Sequence, residues 1–144
     1  MTKNSYLSIY LCVSLGAISF GVLLSAFWLL YPYQPFTFYD PLIPTIKQVY
    51  HPGETVTWHT HFKHNTEGVL IQVDRHLVDG IVINYPTVSY VSDGKEQDFV
   101  NATMKLPDFI SPGKYHFQII STVKVNPIRD IIVVRETEEF TVIK

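Results

Sequence analysis

Apolar and polar residues alternate along most of the chain beyond residue 45, with the period of two that is typical of half-buried β-strands. In the clearest segment, residues 55–63, one face carries Val56, Trp58, Thr60 and Phe62. The same alternation predicts strands at 69–78, 81–85, 88–91, 99–106 and 113–123. With one further strand near the end of the chain, this makes about seven strands in about 100 residues, which favours an all-β, antiparallel β-sandwich.

Short turn-forming segments separate the predicted strands. In residues 51–54, His-Pro-Gly-Glu, a proline that fixes φ precedes a glycine that accepts a positive φ. Asp79-Gly80 is a hairpin signal. Residues 131–134 and 140–143 are interpreted as one last strand, which a bulge at 137–139 interrupts.

The N-terminal pattern is different, because residues 4–39 contain no charged side chain. Residues 6–31 would extend roughly 39 Å as a helix, enough to cross a hydrocarbon core of about 30 Å. Aromatic residues near both ends suit the two membrane interfaces, and Pro32 ends the helix. We therefore predict one transmembrane helix at 6–31, between a short cytoplasmic N-terminus (1–5) and a linker rich in proline and aromatic residues (32–44).

A cleaved signal peptide is the main alternative for this segment. Its apolar region would be only about 7–15 residues long and would end in small residues at the cleavage site. Here Ser25-Ala26 is followed by Phe27 and Trp28 rather than by a polar segment, which favours an uncleaved, single-pass anchor. Lys3 is the only charge before the helix, so we expect the N-terminus in the cytoplasm and the β domain in the periplasm or outside the cell.

Small residues recur at every fourth position of the predicted membrane helix. One row consists of Ala17, Gly21 and Ser25, and a second of Ser8, Cys12 and Gly16. Such spacing lets helix backbones approach closely in lipid, and it predicts a homo-oligomer associated through the first row. Small residues are also common in membrane helices that do not associate, so both interpretations stay open.

Two segments of the β region resemble immunoglobulin-like and fibronectin type III-like domains. Residues 49–56, VYHPGETV, are similar to the first turn of those domains, and residues 110–117, ISPGKYHF, to their tyrosine corner. The resemblance implies that Tyr115 hydrogen-bonds back across this corner and that Trp58 is the core tryptophan of an early strand. It covers about residues 45–144 and implies a fold but no function.

Charge and cysteine content argue against two functional classes. Every Lys and Arg except Lys3 lies beyond the helix, 10 residues against 13 Asp and Glu, and none form a basic run. This balance argues against nucleic acid as a partner. The single cysteine, Cys12, lies in the membrane segment, so no disulfide holds the β domain together. A receptor role drawn from bridged immunoglobulin domains is therefore not implied.

Three histidines cluster at His59, His61 and His64. On a strand, His59 and His61 point to the same side, about 6.6–6.8 Å apart along the chain, where they can share a metal with His64 or with a neighbouring strand. Thr57 and Lys63 occupy the same face, so a polar, solvent-facing strand is the alternative, and Lys63 would repel a cation. We assign no metal or cofactor.

The segment Asp74-Arg75-His76, together with Asp79, contains residue types used in acid–base chemistry. No serine, cysteine or second carboxylate is placed by a recognisable motif, and a surface salt-bridge cluster explains these residues equally well. We therefore expect no enzymatic activity. Asn101-Ala102-Thr103 matches the N-glycosylation sequon, whose use the sequence leaves open.

Short β-sandwiches usually recognise partners through end loops or an edge strand. We expect a non-enzymatic binding or structural module, displayed outside the cytoplasm, with an unidentified protein partner. The candidate contact loops are 84–87, 93–98 and 124–130. One alternative is an accessory subunit of a membrane complex, recognised through its helix. Another is a phage-encoded host-envelope factor, because the anchor and the sandwich resemble uncharacterised single-pass membrane proteins of bacteriophages.

Overall fold

A computed structural model describes residues 3–144, with the backbone alone at 3–5, 7, 8 and 98–100. Residues 1 and 2 of the predicted cytoplasmic N-terminus lie outside the described residues. The described chain consists of one apolar helix and a mostly β region whose two sheets form a sandwich, which confirms the predicted fold class. The chain divides into two compact units, one that contains the helix and the residues up to 33 together with residues 126–129, and one that contains residues 34–125 and 130–144.

Helix α1 extends over Lys3–Leu30. Its segment Ile9–Leu30, 22 residues with a mean hydropathy of 2.1, is long and apolar enough to cross a membrane. At a rise of 1.5 Å per residue this segment extends roughly 33 Å. A signal anchor and a signal sequence both fit a helix of this composition near the N-terminus.

The two sheets are unequal in size. The smaller sheet has the strand order β1-β3-β7, and the larger has the path β2-β10-β8-β4-β5, with β6 also paired to β4 and β9 to β8. The strands are β1 (Phe36–Phe38), β2 (Val49–Tyr50), β3 (Thr55–His64), β4 (Glu67–Asp79), β5 (Ile81–Asn84), β6 (Val88–Asp93), β7 (Glu96–Lys105), β8 (Gly113–Asn126), β9 (Arg129–Glu136) and β10 (Phe140–Val142).

The two longest strands organise the larger sheet. Strands β4 and β8 pair antiparallel from Ile71↔Val123 to Val78↔His116. Along the other edge of β4, β5 pairs with its C-terminal part and β6 with its N-terminal part. Gly80, with a φ of 60°, forms the tight turn between β4 and β5, because only glycine adopts this backbone conformation without strain.

Strands β9 and β10 both pair with β8, on either side of the interruption predicted at 137–139. Thr137 is buried between them. Its amide donates to the Phe117 carbonyl at 2.9 Å, and its hydroxyl accepts from the Phe117 amide at 2.9 Å. The Thr137 side chain therefore replaces the ladder hydrogen bond that the break in the edge strand removes.

Three details differ from the prediction. The described chain has ten strands rather than about seven. Residues 36–38, inside the predicted linker of 32–44, form β1 and pair with β3. Strand β2 pairs with β10 in parallel, so the sandwich is not wholly antiparallel. Strands of two or three residues contain too little alternation to be recognised in a sequence.

The core is centred on Trp58 of the smaller sheet and Phe117 of the larger. Trp58 is 2% exposed and Phe117 is fully buried, and their ring centroids lie 5.0 Å apart. Apolar residues from both sheets pack around them: Tyr50, Val56, Leu77, Met104, Leu106, Tyr115, Phe140 and Val142. Apolar packing between the sheets is thus what stabilises a domain that has no cysteine.

The turn before β8 is tied to the core by Tyr115. Its hydroxyl donates to the carbonyl oxygen of Ser111 at 2.8 Å, and its ring stacks on Phe140. Burial raises the pKa of the Tyr115 hydroxyl, and the nearby Asp79 carboxylate raises it further. The hydroxyl therefore stays protonated, and remains a donor, across the physiological pH range.

Truncation of the central tryptophan tests the role of the inter-sheet contact. Trp58→Ala should lower the free energy of unfolding by about 3–5 kcal/mol, because it removes a buried aromatic ring and leaves a cavity. Urea unfolding of the full chain in detergent micelles, followed by far-UV circular dichroism, measures this. Thr57→Ala, on the outer face of the same strand, is the control and should cost about 1 kcal/mol or less. Equal losses in both variants would contradict the assignment.

Removal of the Tyr115 hydroxyl tests the turn. Tyr115→Phe should lower the free energy of unfolding by about 0.5–1.5 kcal/mol, because the hydrogen bond to Ser111 is lost while the ring still packs. Ser111→Ala keeps the backbone acceptor and should leave stability nearly unchanged in the same unfolding measurement. A larger loss for Ser111→Ala than for Tyr115→Phe would show that the hydrogen bond is not what holds the turn.

Candidate functional site

A cleft of about 240 Å³ opens between the two sheets, and we call it the inter-sheet cleft. It is lined by residues of two apolar clusters, one around Trp58 and Phe117 and one around Phe36, Ile71 and Val123. Its apolar lining includes Phe36, Phe38, Trp58, Phe62, Val73 and Ile119. Its polar lining includes Thr60, Arg75, Tyr90, Ser121 and Arg135.

Strand alternation explains why two arginines point between the sheets. In β4, Arg75 lies between Val73, which packs in the second apolar cluster, and Leu77, which is fully buried. In β9, Arg135 follows Val133, which packs in the same second cluster. Because residues two apart share a face of a strand, both arginines project from the inner face of the larger sheet.

The Arg135 guanidinium is held in place by neutral groups. Its central carbon lies 4.3 Å from the centroid of the Phe38 ring, a cation–π contact, and one terminal nitrogen donates to the Asp40 carbonyl. Its Nε is buried and has no hydrogen-bond partner among the described residues. Burial lowers the pKa of Arg135, and the charge of Asp40 acts in the opposite direction. The guanidinium remains protonated at neutral pH.

Arg75 has a similar arrangement. One of its terminal nitrogens donates to the Pro86 carbonyl at 3.0 Å, and its buried Nε also lacks a partner among the described residues. Within the part of the chain that the structure describes, no carboxylate oxygen lies within 4.0 Å of either guanidinium. Two cations therefore line a mostly apolar cleft without a direct ion-pair partner among the described side chains.

This arrangement suits the binding of an anionic, partly apolar molecule. A guanidinium presents donors in a planar fork that matches a carboxylate. The aromatic and aliphatic walls favour an apolar body. The described lining residues include the hydroxyl groups of Thr60, Tyr90 and Ser121. Of these, the Tyr90 hydroxyl lies 3.4 Å from Nε2 of His64.

A second polar cluster lies at the end of β3, where His64 is only 4% exposed. Its Nδ1 lies 3.0 Å from Asp93 Oδ1, and its Nε2 lies 3.4 Å from the Tyr90 hydroxyl. Asp93 also accepts from the Lys95 amide at 3.1 Å and from Gln97 Nε2 at 2.8 Å. The Lys95 amide, and then the His64 ring, lower the pKa of Asp93. Because the members satisfy one another, this network stabilises the turn between β6 and β7.

The three clustered histidines do not converge. His64 faces the interior, whereas His59 and His61 lie on the opposite face of β3, because an odd separation along a strand reverses the face. His61 Nε2 lies 2.9 Å from Glu96 Oε1, and its ring lies 4.2 Å from that of Tyr39. Among the described residues, no three His, Cys, Asp or Glu side chains are grouped to hold a metal. The structure therefore does not bring His64 together with His59 and His61.

The residues considered for acid–base chemistry are also separated. Asp74 accepts from the Thr87 hydroxyl, and the His76 ring pairs with Asn84 Oδ1 at 2.7 Å, both on the outer face of β4. Arg75 points the other way, into the inter-sheet cleft. The salt-bridge interpretation of this segment is therefore wrong for Arg75, since consecutive strand residues cannot share a face.

The predicted helix-association residues Ala17, Gly21 and Ser25 are exposed on α1. A Cβ at Gly21 would meet no atom within 4 Å. Self-association through this row stays a prediction, as does use of the exposed Asn101 sequon. The side chain of Ser8, in the second row, lies outside the described residues.

The three predicted contact loops connect neighbouring strands. Residues 84–87 lead from β5 to β6, residues 93–98 lead from β6 into β7, and residues 124–130 contain the turn between β8 and β9. The side chain of Asp98 lies outside the described residues. Their role in partner binding stays a prediction.

Sequence reasoning missed the inter-sheet cleft. One signal was present in β4, where Arg75 is in phase with Ile71 and Val73 and so puts a charge on an apolar face. Arg135 is in phase with Val133 in the same way. Neither pattern indicates that the two arginines line the same space, because they lie on strands that β8 separates in the sheet.

No family model and no curated protein matches this chain. Solved structures with similar folds include the alkylpurine DNA glycosylase AlkC of Pseudomonas fluorescens, bound to DNA containing an abasic site analog. It is 13% identical, with a TM-score of 0.44, and the match covers 75% of this chain and 30% of the glycosylase chain.

Two further structures are similar at a comparable level. The CARDB domain of the PF1109 protein from Pyrococcus furiosus, solved in complex with di-metal ions, is 18% identical over 78% of this chain and 95% of its own, with a TM-score of 0.45. Spo0M, a sporulation control protein from Bacillus subtilis, is 18% identical over 76% of this chain and 50% of its own, with a TM-score of 0.36. Likeness at this level concerns the β-sandwich fold alone.

Proposed function

We propose that this protein is a non-enzymatic binding module, anchored in a membrane by its N-terminal helix and displayed outside the cytoplasm, and that it takes a ligand into the inter-sheet cleft. The observation that carries the proposal is the pair of arginines, Arg75 and Arg135, whose buried Nε atoms have no partner among the described residues. Buried donors in folded proteins are almost always satisfied, so two guanidinium groups with unsatisfied donors at one cleft indicate a place for an anion. Because the Nε atoms themselves have almost no accessible surface, an acceptor from outside would bind the terminal N–H groups of these side chains at the cleft.

The size of the inter-sheet cleft supports a small ligand. Pockets that bind small molecules usually have volumes of about 300–1,000 Å³, and a dry cavity of about 150 Å³ already holds benzene. The cleft, at about 240 Å³, is larger than the benzene-sized cavity and slightly smaller than the usual pockets. It suits a small molecule or one end of a larger molecule.

The chemistry of the lining supports binding rather than catalysis. The described lining offers the hydroxyls of Thr60, Tyr90 and Ser121. A hydroxyl becomes a good nucleophile only beside a general base. No described lining residue is a carboxylate or an imidazole, and the one nearby imidazole, His64, is paired with Asp93 at 3.0 Å within a network that holds the turn between β6 and β7. The arginines supply positive charge and hydrogen-bond donors.

Access of a small apolar molecule to the cleft tests the proposal. The chain has two tryptophans, and Trp58 lines the cleft, so Trp28→Phe leaves Trp58 as the only tryptophan fluorophore. In the full chain in lipid nanodiscs, bromobenzene, a neutral heavy-atom quencher, should quench Trp58 with a saturable dependence on concentration. Ser121→Leu, which fills the cleft, should weaken this binding at least tenfold.

The control for this experiment is Thr122→Leu, which adds the same side chain on the outer face of β8 and should leave quenching unchanged. Thermal unfolding by circular dichroism checks that both variants are folded. Quenching that rises linearly without saturation, or that is equal in Ser121→Leu and Thr122→Leu, would show that the cleft does not bind ligands.

A further inference from the structure

We infer that the ligand of the inter-sheet cleft is a monocarboxylate with an unbranched apolar chain, of roughly ten non-hydrogen atoms. The inference rests on the proposed function and names the ligand class of the same site. Arg75 and Arg135 would bind the carboxylate, and the apolar walls would take the chain.

The unused donors of the two arginines indicate an anionic head group. Each guanidinium donates through one terminal nitrogen to a backbone carbonyl, Arg75 to Pro86 and Arg135 to Asp40. These carbonyls are neutral, and the Nε of each arginine is left without a partner. A carboxylate accepts two parallel hydrogen bonds from one guanidinium and also supplies the opposite charge.

Other head groups fit these donors less well. A hydroxyl or ketone provides an acceptor but leaves the two positive charges uncompensated in an apolar cleft, which is costly. An ammonium group would be repelled by both arginines. A carboxylate is the smallest common group that offers two acceptor oxygens and one negative charge.

The rest of the cleft indicates an apolar chain. Phe36, Phe38, Phe62 and Val73 line it together with the arginines, and Trp58 and Ile119 are also part of its wall. A ligand that consisted of the head group alone would leave these surfaces exposed to water. A chain that covers them gains the free energy of apolar burial.

The cleft volume limits the length of the chain. A cavity of about 150 Å³ holds the six carbons of benzene. In the same proportion, the cleft volume of about 240 Å³ holds roughly ten non-hydrogen atoms. Hexanoate and its 6-bromo derivative lie within this limit.

The two arginines are not equivalent. The Asp40 charge acts on Arg135 and offsets part of its positive field. No carboxylate among the described residues lies within 4.0 Å of either guanidinium. Asp40 therefore acts on Arg135 over a longer distance than an ion pair, and we expect both arginines to contribute to binding of an anion.

Matched bromine-labelled probes test the ligand class. With the Trp28→Phe chain in lipid nanodiscs at neutral pH, 6-bromohexanoate should quench Trp58 saturably and bind at least tenfold more tightly than 6-bromohexan-1-ol. Arg75→Met and Arg135→Met should each weaken the carboxylate at least tenfold while they leave the alcohol within threefold. Arg75→Lys, which keeps the charge but loses the planar fork, should weaken the carboxylate at least threefold.

The control variant is Arg129→Met, which removes an equal charge from the start of β9, outside the cleft lining, and should change affinity less than twofold. Empty nanodiscs correct for partition of the probes into lipid. Thermal unfolding by circular dichroism identifies any variant that is not folded. If a methionine variant does not fold, the affinity of Arg75→Lys for the carboxylate tests the role of the guanidinium instead.

Three results would overturn the inference. Equal affinities for the acid and the alcohol, unchanged in the arginine variants, would exclude carboxylate recognition but leave the proposed function intact, because quenching still reports an occupied cleft. If N-acetyl-leucine displaces the probe tenfold better than hexanoate does, the occupant is the C-terminus of a peptide. If neither these probes nor bromobenzene quenches Trp58 saturably, the proposed function fails as well.

Discussion

The packing of Trp58 against Phe117 is the interaction on which the rest of the β domain depends, because it joins two sheets that no disulfide connects. Small domains bury a limited fraction of their apolar surface, so a few large aromatic contacts account for much of the stabilisation. The surrounding strands are positioned by this contact. Phe140 of β10 packs on Phe117, and Thr137 links the interrupted edge strand to the backbone of the same residue.

The inter-sheet cleft lies where this packing is incomplete. Placing a guanidinium between two sheets carries a desolvation penalty, and an unpaired buried charge is more costly than a paired one. Contact with the Phe38 ring and acceptance by two backbone carbonyls offset part of that penalty. Apolar side chains at positions 75 and 135 would fill the same space with a smaller desolvation penalty. The two arginines therefore lower local stability and in return place positively charged hydrogen-bond donors in the cleft, which apolar residues cannot do.

Other inward or half-buried polar groups in the domain show the contrast. His64 is nearly as buried as the core, yet both of its ring nitrogens have partners, in Asp93 and Tyr90. His76 is paired with Asn84 across a hairpin. Because these polar groups are paired within the protein, they are adequately explained as structure. The two arginine Nε atoms are not satisfied in this way, and the cleft beside them is open to a ligand.

Periodicity alone determined the main elements of this protein: an uncharged apolar segment at 6–31 that is compatible with a membrane, and alternating strands that need two sheets to bury one face each. Local patterns of this kind can be recognised in a sequence because residues on the same face recur at a regular spacing, every second residue in a strand. The short strand Phe36–Phe38 and the pairing partner of β2 could not be predicted from the sequence. Two or three residues are too few to show a periodic pattern, and their hydrogen bonds depend on neighbouring strands.

The site depended on tertiary structure still more. The sequence marks Arg75 and Arg135 as charges on apolar faces of two strands, but only the sheet order, with β8 between β4 and β9, brings both to one cleft. Residues 60 positions apart line one cleft because of how the sheets pack, and that packing is a property of the whole domain rather than of either strand.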